Sequence, residues 1–437
     1  MIKYFKYSLA LLLLIWNDSI FAQEEHLLTP ADSTKSGYQI SIGSGAPTNK
    51  DVEMQLNDYA LPYYRWDLKY MNSWFDWKKK LNKDLGLQIS INYSSIYMGA
   101  TSKLENGIAQ NAASGIFDAT LKWNFINRKK EKDKGSFIIW TDWRHLYYGT
   151  IAPQFLFLET GSGTMNATKF NKWNFHVLEF YYQQSLFNDR MDIVVGKIDM
   201  PDWFAFNGLA HPMLHFTDLT FSVGPTVSWS NPGFGIAAGG WLNKKRTIGL
   251  VTGLNDVAGV DLNNPSFFDL GTDQWKNGNF LKMVELNYSP SSSRYYFNRI
   301  AITAWHSDAL IAQDESFFLT PSSKGISMQA TWVINDKIIP VAAIAFSDGE
   351  GANTLSNTSI SLSNAWYFPS HDLMGVGVNY STSSISGRSQ VLSEVFYRWT
   401  LSKTTSFTPL VKFVMNPALD PTRNFIMYYG LRGRISL

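Results

Sequence analysis

Charged and apolar residues sort by parity along this chain. In "GIFDATLKWNF" (115–125), Phe117, Ala119, Leu121, Trp123 and Phe125 occupy one register and Asp118, Thr120, Lys122 and Asn124 the other. In "VLSEVFYRWTL" (391–401), Val391, Val395, Tyr397, Trp399 and Leu401 alternate with Glu394, Phe396, Arg398 and Thr400. "SFTPLVKFVM" (406–415) opposes Phe407, Pro409, Val411, Phe413 and Met415 to Thr408, Leu410, Lys412 and Val414. The last residues, "FIMYYGLRGRISL" (425–437), keep Leu431, Ile435 and Leu437 in one register and place Arg432 and Arg434 in the other. "FIIWTDWRHLYY" (137–148) is less regular, yet Asp142 and Arg144 still share a register. Period-two alternation predicts β-strands, because successive side chains leave the backbone on opposite faces. These runs span about ten residues, longer than the usual five or six.

A soluble sandwich alternates as well, so the contents of the two registers decide. The apolar register is crowded with Trp, Phe and Tyr along long strands, which suits a lipid band edged by aromatic girdles. The polar register mixes bulky residues with charges of both signs, as a filled lumen requires. Aromatic clusters "YYF" (295–297) and "WYF" (366–368) fall where strand ends are expected. The expected fold is all-β, a transmembrane antiparallel barrel.

Connection lengths set its topology. Short links at "SKT" (402–404), "PSHD" (369–372), "NDK" (335–337) and "PSSSR" (290–294) alternate with longer ones at 416–424, 383–388, 348–357, 308–323 and 255–278. Short periplasmic turns and long outer loops predict that alternation and put the C-terminus on the periplasmic side. Assigning strand directions from both ends leaves one run too many between 199 and 233. Denying "TDLTFSVGPTVSW" (217–229) a strand of its own makes 199 to about 232 one long in-folding loop. Sixteen strands remain, a width that suits an aqueous channel.

Ahead of the barrel, "MIKYFKY", the apolar "SLALLLLIW" (8–16) and a small residue, Ala22, before Gln23 have the layout of a secretory signal peptide over 1–22. The apolar run is shorter than the roughly 20 residues a spanning helix needs. Residues 23–73 are polar and without periodicity, and the barrel domain is expected over 74–437. "NSWFDWKKKLNKDLG" (72–86) predicts a short amphipathic helix closed by Gly86. Its Trp74, Trp77 and Leu81 are candidates to plug the barrel mouth, cover its periplasmic rim or lie at the membrane surface.

Charge excludes one class of partner. Lys plus Arg is 38 against 36 for Asp plus Glu, a net +2, and no basic stripe exists, so nucleic acid is not expected. "NRKKEKDKG" (127–135) interleaves acids with its bases and reads as a solvated turn. Cysteine is absent, which excludes disulfides and thiolate metal sites.

Two segments resemble the carbohydrate-selective porin family, the OprB-like outer-membrane porins. One is "VVGKIDMPDWFAFNGLA" (194–210) with "NPGFGIAAGGWL" (231–242), similar to a strand ending in Gly-Lys-(Leu/Ile)-Asp followed by a loop of Asp, Phe and Asn-Gly character. The other is "SEVFYRWTLSKTTSFTPLVKFVMNPALDPTRNFIMYYGLRGRISL" (393–437), similar to a closing hairpin with Asn-Pro-x-x-x-Pro and Gly-Leu-Arg-x-Arg. "WFDWKKKLNKDLGLQISINYSSIYMG" (74–99) matches more loosely, so the resemblance covers about 72–437. It departs at the final position, where an aromatic residue is usual and Leu437 stands. The resemblance implies passive diffusion of small sugars across the outer membrane of a Gram-negative-type bacterium. Outer-membrane lipid and the barrel-assembly machinery are its implied partners, and a homo-oligomer stays open. A general ion-conducting porin of the same architecture, or a secreted carbohydrate-binding β-protein, are the alternatives.

Parity supplies candidate pore-lining residues. Glu394, Arg398, Lys412, Arg432 and Arg434 lie near the closing seam, and Asp118, Lys122, Asp142 and Arg144 on early strands. First and last strands of a closed barrel are neighbours, so both groups can share one wall. The loop "DMPDWFAFNGLAHPMLHF" (199–216) adds Asp199, Asp202, Trp203 and His211 as constriction candidates, or as residues that pack against the wall and stiffen it. No enzyme or cofactor is expected. Asp199 and Asp202 are too close in sequence to define opposed glycosidase acids. His211 and His215 have metal-ligand spacing only on a helix, which Pro212 opposes. "TGSGTMNAT" (160–168) lacks the Lys-Ser/Thr of a phosphate loop and reads as an outer loop.

Overall fold

Sixteen antiparallel strands close into one barrel in the computed structural model. It describes residues 65–66, 69–130, 132–147, 151–261, 266–290, 295, 297–310, 320–335, 337–368 and 371–437. The expected signal peptide over 1–22, nearly all of the expected polar segment 23–73 and the expected turn 291–294 lie outside the described residues. The first eight strands are β1 (Leu87–Ala100), β2 (Asn111–Ile126), β3 (Gly135–Leu146), β4 (Trp173–Leu186), β5 (Met191–Ile198), β6 (Gly233–Trp241), β7 (Ile248–Asp256) and β8 (Phe280–Tyr288). The second eight are β9 (Arg299–Ser307), β10 (Ser323–Thr331), β11 (Ile338–Ser347), β12 (Ser356–Tyr367), β13 (Leu373–Ser383), β14 (Ser389–Thr400), β15 (Thr405–Met415) and β16 (Phe425–Ser436).

Each strand pairs with its sequence neighbours, and β16 returns to β1 from Asn92↔Ser436 to Ala100↔Tyr428. The closure reaches the last residue: Leu437 N donates to Ile91 O at 2.8 Å and Ile91 N to Leu437 O at 3.1 Å. Among the described strands no edge is left unpaired, which is the condition for a sheet to stand in hydrocarbon. Parity holds as expected. On β16, Leu431 and Ile435 are 40% and 47% exposed on the outside, while Arg432 and Arg434 are 1% and 5% exposed within.

One end of the barrel carries short turns, such as 187–190 and 401–404, and the other long connections. Residues 199–232 are indeed one connection between β5 and β6, and the run excluded as a strand holds only a single 3-10 turn, Leu219–Phe221.

Helix α1 (Asn72–Leu85) packs against β1 and β2 at the short-turn end. Gly86 ends it with φ 74°, and a Cβ there would strike the Asn124 carbonyl and the Arg128 side chain. Its buried residues are Phe75 and Lys78, with Trp74 and Leu81 half-buried, whereas Trp77 is 46% exposed. The expected stripe was thus rotated: 75, 78 and 82 share the inner face at helical spacing, and Gln88 Nε2 of the barrel wall donates to Asn82 Oδ1 there at 3.4 Å. Upstream, Arg65 donates twice to Asp372, at 2.7 and 2.6 Å, and Trp66 N donates to Leu401 O at 2.8 Å. The helix is therefore held over the rim from two sides, the second of the three expected placements.

A charge on the outward face near mid-strand tests the parity. Leu431→Arg is expected to lower folding free energy by about 2–4 kcal/mol in vesicle refolding titrations. A loss below about 0.5 kcal/mol would place Leu431 away from hydrocarbon.

Candidate functional site

The lumen is occupied by two connections that fold inward, 151–172 ahead of β4 and 199–232 after β5. Inside they bond to each other: Thr168 N donates to Thr217 O at 3.0 Å and Leu219 N to Met165 O at 3.2 Å. The segment expected as an outer loop, 160–168, runs through this interior, with Thr160, Ser162, Thr164 and Asn166 fully buried. Small and hydroxyl-bearing residues let that backbone pass close to the wall, a reason for "TGSGTMNAT" that needs no phosphate.

The β14–β16 wall grips both segments. Glu394 accepts Thr217 N at 2.7 Å, Thr217 Oγ1 at 2.9 Å and Asp218 N at 3.1 Å. Lys412 Nζ donates to Asp218 at 2.8 Å and to Asn166 Oδ1 at 2.7 Å, and lies 3.8 Å from Glu394. Arg432 Nη1 donates to Pro212 O at 2.6 Å and His215 O at 2.9 Å, and Arg398 reaches Leu214 O at 3.3 Å. Glu394, Lys412 and Asp218 have no exposed surface, so their mutual pairing is what makes their burial tolerable. Phe216 adds an edge-on contact with Phe396, ring centres 4.9 Å apart. Phe221 lies where a Cβ on Gly377 of β13 would sit at 2.6 Å, so only glycine lets the loop approach this closely.

The opposite wall holds the first half of the same loop. Glu285 on β8 accepts Ala205 N at 3.1 Å and Thr303 Oγ1 at 2.9 Å, and pairs with Arg299. The Arg299 guanidinium lies over the Phe206 ring at 4.1 Å. Trp203 is buried edge-on against Tyr181, 5.5 Å between ring centres.

Between the in-folded segments and the wall of β1–β3 and β16 remains a cavity of about 270 Å³. Of the residues expected to line a pore, Asp118, Arg144, Asp199, Asp202, His211 and Arg434 border it. Glu394, Arg398, Lys412 and Arg432 instead hold the loop, Asp142 sits behind Arg144, and Lys122 is half-buried near the short-turn end. Both groups do share a wall: Asn92 Nδ2 on β1 donates to Asp118 at 2.8 Å, and Arg434 reaches Ser94 Oγ at 3.0 Å.

Lys169, Trp140 and Trp173 are among the lining residues that were not anticipated. Lys169 Nζ stands 3.7 Å from Asp199 and 3.9 Å from Asp202, and 4.8 Å over the Trp140 ring. The Arg144 guanidinium stacks on Trp173 at 3.7 Å while bonding Asp142 at 2.7 Å and Asn171 at 3.3 Å. Trp140 shares its register with Asp142 and Arg144, so parity could have found it. Lys169 and Trp173 carried no periodic signal.

Electrostatics follow from the burial. Burial pushes the Asp199 carboxyl above the usual carboxylate range, against the pull of Lys169. Burial lowers Lys169, but Asp202 and Asp199 outweigh it and hold its ammonium above the ordinary value. Asp118, Asp199 and Asp202 face Arg144, Lys169 and Arg434, three acids against three bases. No group of His, Asp and Glu among the described residues could hold a metal ion.

Fold and lumen together define a porin-type barrel. Among solved structures it is similar to Pseudomonas putida OprB at high pH, with a TM-score of 0.65 and 12% identity over 84% of this chain and 97% of that one. The low-pH structure of the same protein gives a TM-score of 0.50 and 9% identity over 86% and 99%. No protein-family model matches the sequence, and no curated protein does. The fold implied by the resemblance of 194–242 and 393–437 is thus the one found.

Glu394→Ala strands two backbone N–H groups and a hydroxyl at the loop's anchor. Loss of one member of a buried ion cluster costs about 3–5 kcal/mol, here concentrated on 199–232. The barrel is expected to keep its heat-modifiable gel mobility, while added protease cuts within 199–232 and single-channel conductance rises. Unchanged conductance and full protection would show that the loop needs no such anchor. A second outcome concerns pH. Asp199 gains its proton at a higher pH than an ordinary carboxyl, so mild acid removes a negative charge while Lys169 stays positive. Reversal potentials should shift toward anion preference on acidification, and less so in Asp199→Asn.

Proposed function

We propose that the chain is an outer-membrane porin through which small neutral sugars diffuse. The observation that carries this reading is the cavity between the in-folded segments and the β1–β3 wall. There, donors and acceptors of both signs stand beside the indoles of Trp140 and Trp173. A hydroxyl-rich solute exchanges its water for such groups, and its apolar face meets the exposed rims of the two indoles, whose faces Lys169 and Arg144 cover. The charges are balanced and paired, so they hold a neutral solute weakly enough for exit and give no strong attraction to ions of one sign. Passage is diffusive and needs no cofactor. The apolar outside of a closed barrel supports the membrane location and opposes a soluble secreted protein.

Liposome swelling separates the readings. Vesicles holding the protein should swell fastest in a neutral hexose, more slowly in a hexose acid or amino hexose of the same size. Trp140→Ala and Trp173→Ala should each reduce the preference by several-fold. Equal rates for a hexose and a size-matched amino acid would favour a general porin, and no swelling at all would rule out a channel.

A further inference from the structure

Exposed charge appears on the outer wall at one place. Among the described strand residues, Lys197 on β5 and Asp256 on β7 also fall in the outward register but are buried, whereas Lys282 on β8 and Lys324 on β10 stand exposed on the outside. They are neighbours in one hydrogen-bonded row, Lys282↔His306↔Lys324, and His306 on β9 also points outward. The row lies near the long-loop end of all three strands. Outward-facing charge is expensive on a barrel unless it meets the headgroup layer, and three basic side chains abreast are not a packing accident.

A second observation lies beside them. Lys282 and His306 help to line a groove of about 620 Å³ on the outer wall. One step along the strands, toward the short turns, the row reads Ala238, Thr252, Val284, Ala304. These mostly small side chains leave a shallow apolar trough, bordered by Ile236 and Leu254. Two acids stand in the loops above. Asp308 accepts the Lys282 ammonium at 2.7 Å and lies 3.3 Å from His306 Nδ1. Asp348 is taken by Ser323 Oγ at 2.6 Å and the Lys324 backbone N–H at 3.0 Å. The Lys324 ammonium makes no ion pair among the described residues, and Lys282 keeps donors beyond the one that Asp308 accepts.

We infer that this face binds an acylated, phosphorylated lipid of the outer leaflet. Its phosphate bridges Lys282 and Lys324 across His306, and an acyl chain lies in the trough. The inference rests on reading the chain as an outer-membrane barrel with its long loops outward, but not on what the lumen passes.

Native mass spectrometry of the full chain in detergent tests it, with lipid A as probe and phosphatidylcholine as the zwitterionic comparison. Wild type should retain lipid A in preference. Lys282→Ala with Lys324→Ala should weaken retention roughly tenfold, and Lys282→Arg with Lys324→Arg should preserve it. Neither lysine contributes to the lumen, so heat-modifiable mobility and sugar flux should stay at wild-type levels in both variants. Undiminished lipid A retention in the alanine variant, or equal retention of phosphatidylcholine by wild type, overturns the inference. Should the alanine variant fail to fold, Lys282→Gln with Lys324→Gln gives the same readout. Absent sugar flux with selective lipid retention would instead refute the sugar channel alone.

Discussion

A backbone N–H or C=O in hydrocarbon has no water to bond, and each one left alone costs several kcal/mol. Barrel closure follows from that cost. It forces β16 to find β1 and obliges the final residue, Leu437, to pair with Ile91 rather than fray. With every strand paired on both sides, side chains have only two destinations. One is apolar, and Leu431 and Ile435 go there. The other is the lumen, which receives Arg432 and Arg434.

Charges sent inward raise a second problem, because a lumen crowded by protein is not bulk water. The wall of β14–β16 meets it with the chain itself. Glu394, Lys412, Arg398 and Arg432 bind backbone groups and side chains of 199–232, and Lys412 adds Asn166 of the other connection. Phe216 and Phe221 pack behind them. Anchoring the loops to this wall, with Glu285 and Arg299 holding the far side, leaves a cavity on the β1–β3 side. Asp118, Arg144, Lys169, Asp199, Asp202 and Arg434 border it.

Much of the fold was legible, because a strand's two faces are written into alternate residues and a closed barrel allows few strand counts. The exclusion of 217–229 as a strand and the in-folding loop followed from counting alone. Parity also placed Arg432 and Lys412 inside correctly. It could not say what they touch, since a one-dimensional alternation carries no information about which loop crosses in front of which wall. That is why four of the five seam charges, Glu394, Arg398, Lys412 and Arg432, turned out to hold a loop, and only Arg434 borders the cavity. Lys169 sits in a connection without period, and 160–168 looked like an outer loop because small polar residues serve buried backbone and exposed turns equally well. On α1, Trp74, Trp77 and Leu81 were the residues expected to make its contact, but the buried side is set by Phe75 and Lys78, and Trp77 is exposed.

In the proposed sugar channel, a neutral sugar occupies the cavity beside Trp140 and Trp173 on its way through the barrel. Single-channel current in a planar bilayer reads that occupancy directly. Adding a neutral hexose should interrupt the ion current reversibly and in proportion to its concentration, and Trp140→Ala should shorten the interruptions. A wild-type current that stays steady at high hexose concentration, in a channel that still conducts salt, would contradict it.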